Sequence, residues 1–243
     1  MTSVALAALL VAARASAQTL AIQAQVDGGP WTPGPAAPLV GQEVRLRVEA
    51  PSGARIRWYQ IIPDVATMHK NANFPWEQGA YRWVGFGKIR YDREELTRFR
   101  DQPEIRLLEA GRRAGPGDWT DRYASAFTAS AYYHPDVGSF WFQAEIEAGG
   151  RVSRSPGLEA SDPLGLSPKV FRVSLRDGPG LPGWLTSFFN VPALFGSVPH
   201  QSQNYIGTDC ADVLVAALGK WRGRDDPRNY NVDMLVSGLA RVG

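Results

Sequence analysis

A two-residue period of apolar and charged side chains sets the strongest constraint on what this chain can fold into. In residues 43–50 (EVRLRVEA), Val44, Leu46 and Val48 point one way while Glu43, Arg45, Arg47 and Glu49 point the other. An extended chain with one apolar face is a half-buried antiparallel strand, and that face has to be buried against a second layer. After the turn Pro51-Ser52-Gly53, residues 55–61 (RIRWYQI) resume the alternation. Residues 20–26 (LAIQAQV) show it in part. Residues 139–147 (SFWFQAEIE) and 151–154 (RVSR) flank Gly149-Gly150 as a hairpin, and residues 170–175 (VFRVSL) close the set. The 25 glycines and 18 prolines supply the turns that such strands need.

Short strands joined by Gly/Pro turns predict a β-sandwich over residues 18–177. The pattern resembles an immunoglobulin-like domain without a cysteine pair. Residues 63–136 fit a minimal sandwich poorly and read as an insertion. Within them Phe74, Trp76, Tyr81, Trp83, Phe86 and Tyr91 crowd beside Gly79, Gly85 and Gly87, and residues 92–100 (DREELTRFR) read as a short charged helix. Aromatics in such a loop fill its core more often than they stack on a sugar ring.

Residues 3–13 are apolar but too short to cross a bilayer, and Ala15-Ser16-Ala17 offers the small residues of a cleavage site before Gln18. Residues 1–17 therefore read as a secretory signal, although no Lys or Arg precedes the apolar run, and the protein as secreted or periplasmic. The 26 Lys plus Arg against 24 Asp plus Glu leave +2 with no basic run, which argues against a nucleic-acid partner. No apolar run is long enough for a transmembrane segment. A single cysteine excludes an intrachain disulfide and a multi-thiolate zinc site, and no cofactor is expected.

Composition predicts a linker at residues 178–183 and a second unit over 184–243, helical at first up to Asn190, with a polar loop over 197–205 and a strong helix over 208–221. Thr208 or Asp209 caps that helix, and Val213, Leu214, Ala217, Leu218 and Trp221 form its inward stripe. Cys210 then lies in the first turn, where free N–H groups and the helix dipole favour an anion. Unassisted, a thiol of pKa about 8.5 is only about 3% thiolate at pH 7. A helix start and a neighbouring imidazolium change that, and make a nucleophile. The bland alternative is a small buried side chain.

Gly207-Thr208-Asp209-Cys210-Ala211-Asp212-Val213 resembles the nucleophile segment of NlpC-type cell-wall peptidases, papain-like thiol hydrolases whose cysteine follows an acidic residue at a helix start. Together with the sandwich read from the strands, the resemblance implies an α+β protein: an N-terminal immunoglobulin-like sandwich with an insertion, followed by the helical start of a papain-like domain. It implies Cys210 as nucleophile, a thioester intermediate, and a peptide or peptidoglycan substrate. In that family the histidine follows the cysteine, whereas His69, His134 and His200 all precede it here, with 33 residues remaining after Cys210. The expectation is a fragment lacking its C-terminal strands, with His200 the candidate base from the same unit. A non-catalytic exported binding or adhesion module is the rival, and a transglutaminase-like acyl transferase a third reading. Asp225, Asp226, Asn229, Asn231 and Asp233 lack the EF-hand glycine and glutamate and read as a solvated loop.

Overall fold

A computed structural model describes residues 20–74, 77, 79–109 and 127–239, so the expected signal 1–17 and Trp76 lie outside the described residues. The strands are β1 (Gln23–Val26), β2 (Thr32–Pro33), β3 (Glu43–Arg47), β4 (Arg55–Pro63), β5 (His69–Lys70), β6 (Tyr91–Glu95), β7 (Glu104–Glu109), β8 (Gly138–Ala148), β9 (Arg151–Arg154), β10 (Phe171–Leu175) and β11 (Leu194–Phe195). The helices are α1 (Leu181–Thr186), α2 (Pro199–Gln203), α3 (Cys210–Arg222) and α4 (Val232–Leu239). The fold is mixed α+β, with mostly antiparallel sheets and few helices. One sheet runs β2-β1-β3-β7 and a second β10-β8-β4-β6, with β9 on β8 beyond the end of β10.

The alternation in β3 and β4 does what its period requires. Val44 and Leu46 of the first sheet meet Ile56 and Trp58 of β4 and Phe140 and Phe142 of β8 in one buried cluster. Burial of each large apolar side chain there contributes roughly 1.5–3 kcal/mol. Trp58 is fully enclosed, and its indole N–H donates to Gln102 O at 2.9 Å, so no donor is orphaned. Ile61 and Trp141 have the opposite parity on the same strands and so face the other side of the second sheet. There they pack with Phe188, Val191, Tyr205, Ala216 and Ala217. The helical part of the chain covers the outer face of the second sheet.

Two expectations for the middle of the chain are corrected. Residues 92–100 do not form a charged helix: β6 pairs antiparallel with Tyr59–Pro63 of β4, and only Thr97–Phe99 makes a 3-10 turn. Backbone pairing to β4 outweighs the helix preference of Glu94 and Glu95, and an edge strand tolerates charge. Nor are residues 63–136 simply an insertion, because β6 and β7 supply an edge strand to each large sheet.

The expected linker is built into the structure. α1 starts within it at Leu181, and Gly183 lies so close to the preceding turn that a Cβ there would stand 1.9 Å from Gly178 O. Contacts also cross it: Ser139 Oγ donates to Ser187 O at 2.8 Å, and β11 pairs in parallel with β5. The expected helix stops at Thr186, short of Asn190, while α2 forms inside the expected polar loop.

Candidate functional site around Cys210

The start of α3 is launched from a small parallel arrangement. β11 lies between β5 and Thr208, with Leu194 N–H donating to Thr208 O at 3.0 Å and Thr208 N–H to Pro192 O at 3.1 Å. Gly196 turns the chain out of β11 at φ 70°, and any Cβ there would come within 2.9 Å of Ala72 Cβ and Tyr81 Oη. Ser197 follows and ties the turn to the helix. Its hydroxyl donates to Asp212 Oδ2 at 2.6 Å and accepts from Asp209 N–H at 3.1 Å.

Of the two candidate caps, Asp209 is the one used. Its carboxylate accepts from Ala211 N–H at 3.0 Å and Asp212 N–H at 2.9 Å, and its carbonyl takes the Val213 N–H at 3.1 Å. Cys210 is the first helical residue and is exposed, so the buried-thiol alternative does not apply. Its own N–H is the first-turn donor that no described group takes up.

The buried face of α3 is rotated from the expected stripe. Ala211, Asp212, Ala216, Ala217 and Gly219 turn inward, whereas Leu214 is 44% and Trp221 50% exposed. Small residues let α3 approach α1 closely, and Ser197 gives the inward Asp212 a partner. Asp212 is only 2% exposed, and burial, with the nearby Asp209 charge, pushes its carboxyl up to about 6 against the pull of the Ser197 hydrogen bond.

His200 sits on α2 and is exposed, with Nδ1 3.3 Å from Asn204 Nδ2, which also donates to His200 O at 2.8 Å. The Ser197 contacts bring α2 and the start of α3 together, but no hydrogen bond joins the imidazole to the Cys210 thiol. The other histidines lie elsewhere: His69 is buried with Nε2 3.4 Å from Asp64 O, and His134 stacks on Phe189 at 4.2 Å.

The aromatics expected to fill a loop core do so only in part: Tyr91 packs against two of the buried clusters. Phe74 packs on Phe195, but Tyr81, Trp83 and Phe86 are exposed, Trp83 and Phe86 meeting edge to face at 5.4 Å. Tyr81 faces the acidic helix start: burial, then the charges of Asp209 and Asp212, raise its phenol.

Sequence reasoning missed the residues that brace this region. Asn71 is fully enclosed, donates Nδ2 to Gln201 Oε1 at 2.8 Å and Gly196 O at 3.2 Å, and accepts from Gly87 N–H. Gln201, equally buried, donates to Leu164 O at 2.9 Å. Neither has a periodic or motif signal. No group of three or more metal-ligating side chains occurs among the described residues. No family model, curated protein or solved structure matches the chain.

Proposed function

We propose that this protein is an exported thiol hydrolase that cleaves amide bonds in peptides, peptidoglycan peptides among them, through a thioester on Cys210. The observation that carries the reading is the exposed thiol at the first position of a 13-residue helix, where neither packing nor a disulfide gives it a structural role. In this mechanism the Cys210 sulfur attacks the amide carbonyl carbon while an imidazole takes the thiol proton and returns it to the departing amine. Water then hydrolyses the thioester. The free Cys210 N–H is the donor placed to meet the oxyanion. His200 serves as the base once its ring leaves Asn204, and the exposed Tyr81, Trp83 and Phe86 offer a shelf for substrate.

The reading is tested by alkylation of Cys210 with iodoacetamide between pH 5 and 9 and by hydrolysis of peptidoglycan stem peptides. A Cys210 that alkylates at pH 6 well ahead of glutathione, with hydrolysis abolished in Cys210→Ala, is the expected result. Glutathione-like reactivity together with hydrolysis retained in Cys210→Ala overturns it. One observation favours a non-catalytic binding module instead: the Asp209 carboxylate occupies the N–H groups that would otherwise favour a thiolate. Under that reading the exposed aromatics bind ligand, and substitution of Trp83 weakens retention on cell-wall material while Cys210→Ala does not.

A further inference from the structure

A cavity of about 280 Å³ lies on the far side of α3 from its N-cap, between β10, residues 35–37, Trp184 and the last turn of the helix. Its charge is one-sided: Arg172, Lys220 and Arg224 line it against a single acid, Asp225. Lys220 Nζ lies 3.9 Å from Asp225 Oδ1, at the limit of an ion pair, and Asp225 is largely exposed. Arg172 meets no carboxylate among the described residues. Nε donates to Ser174 Oγ at 3.0 Å and Nη1 to Asn204 O at 3.0 Å, which uses two of its five N–H donors and leaves Nη2 without a described partner.

The two cations also share one aromatic ring. Phe188 stacks on Tyr205 at 4.3 Å, while the Arg172 guanidinium lies 4.0 Å and the Lys220 ammonium 5.0 Å from the Tyr205 centroid. Like charges gathered this way cost free energy unless an anion offsets them. Burial lowers the Arg172 guanidinium to about 10, and it lowers Lys220 as well, with Arg172 adding to the effect against Asp225. The C-terminal end of α3 supplies only roughly half an elementary negative charge. Its carbonyls at Gly219 and Lys220 are moreover engaged by Arg224 and Gly223 N–H.

We propose that this cavity is a binding site for a small oxyanion, a carboxylate or phosphate group held by Arg172, Lys220 and Arg224 with its body against Trp184. The Nη2 amino group of Arg172, with no described partner, is the donor left for an oxygen of the anion. The volume lies just below the usual range for small-molecule sites, roughly 300–1,000 Å³, so the ligand is compact. The inference stands independently of Cys210.

Titration calorimetry on the full chain, at pH 7.5 and constant ionic strength, tests it with benzoate and inorganic phosphate as separate probes and benzyl alcohol as the uncharged control. One-to-one saturation by at least one anion and none by the alcohol is expected, and the anion that binds identifies the source of the oxyanion. Arg172→Met risks the fold, so Lys220→Gln and Arg224→Ala are the decisive variants, each checked for an unchanged melt. Each should weaken binding by about tenfold, the scale of one charge-assisted contact. If neither anion saturates the protein up to about 10 mM, or if both variants bind as the parent does, the site does not exist.

Discussion

Asp212 carries the clearest pH dependence at the level of single residues. Its folded carboxyl titrates near 6, above the 3.8 of an ordinary aspartate, so between these values the folded state holds the proton more tightly than the unfolded chain. Its contribution favours the folded state at low pH and is lost as pH rises through about 6; above that, ionisation costs on the order of 2 kcal/mol after allowance for solvent screening. Asp212→Asn keeps an acceptor for Ser197 and removes the charge. It should therefore melt higher than the parent at pH 7.5 and lose most of that advantage at pH 4.5, as followed by circular dichroism. At Asp209 the charge and the cap separate: Asp209→Asn retains the cap and should speed Cys210 alkylation at pH 7, whereas Asp209→Ala should cost about 1 kcal/mol in denaturant melts. Cys210 and its cap were legible in the sequence because capping is local. Asn71 and Gln201 were not, since they sit 130 positions apart and only the folded chain makes them partners.

Period was a sufficient guide for elements that have one buried face. β3 and the first half of β4 emerged from alternation and β8 from its hairpin at Gly149-Gly150, while β6 emerged from neither, since its Tyr-Asp-Arg-Glu-Glu run has no apolar alternation and owes its conformation to pairing with β4. The same limit explains α3. A helical period locates an apolar stripe but does not distinguish it from a face of alanines packed closely on α1. Two substitutions separate these faces. Leu214→Gln, on the exposed side, should leave the denaturation midpoint within about 0.5 kcal/mol of the parent. Ala217→Leu, on the fully buried side, should overpack the α1 contact and cost about 1–3 kcal/mol. Had the expected stripe faced inward, Leu214→Gln would be strongly destabilising.

At the level of the whole molecule, the second sheet is covered on both faces, by the first sheet and by the helical segment. A fragment ending at residue 177 keeps its strands but bares Ile61, Trp141 and Val170, each worth roughly 1.5–3 kcal/mol of burial. It should bind a hydrophobic dye and melt without a sharp transition, and a cooperative melt equal to that of the full chain would show the helical part to be dispensable. Composition suggested a boundary at 178–183 because Gly and Pro mark linkers and tight turns alike, and only the contacts across that segment distinguish the two. The β5–β11 pairing also has a consequence for biogenesis. The Asn71 contact to Gly196 beside it spans 125 residues, so a ribosome adding about 5–20 residues per second leaves this half of the nascent polypeptide waiting on the order of ten seconds for its cover. Throughout that interval Ile61, joined by Trp141 once it has been made, is sticky surface, and chaperone engagement during synthesis is the natural means of keeping the emerging sheet from aggregating.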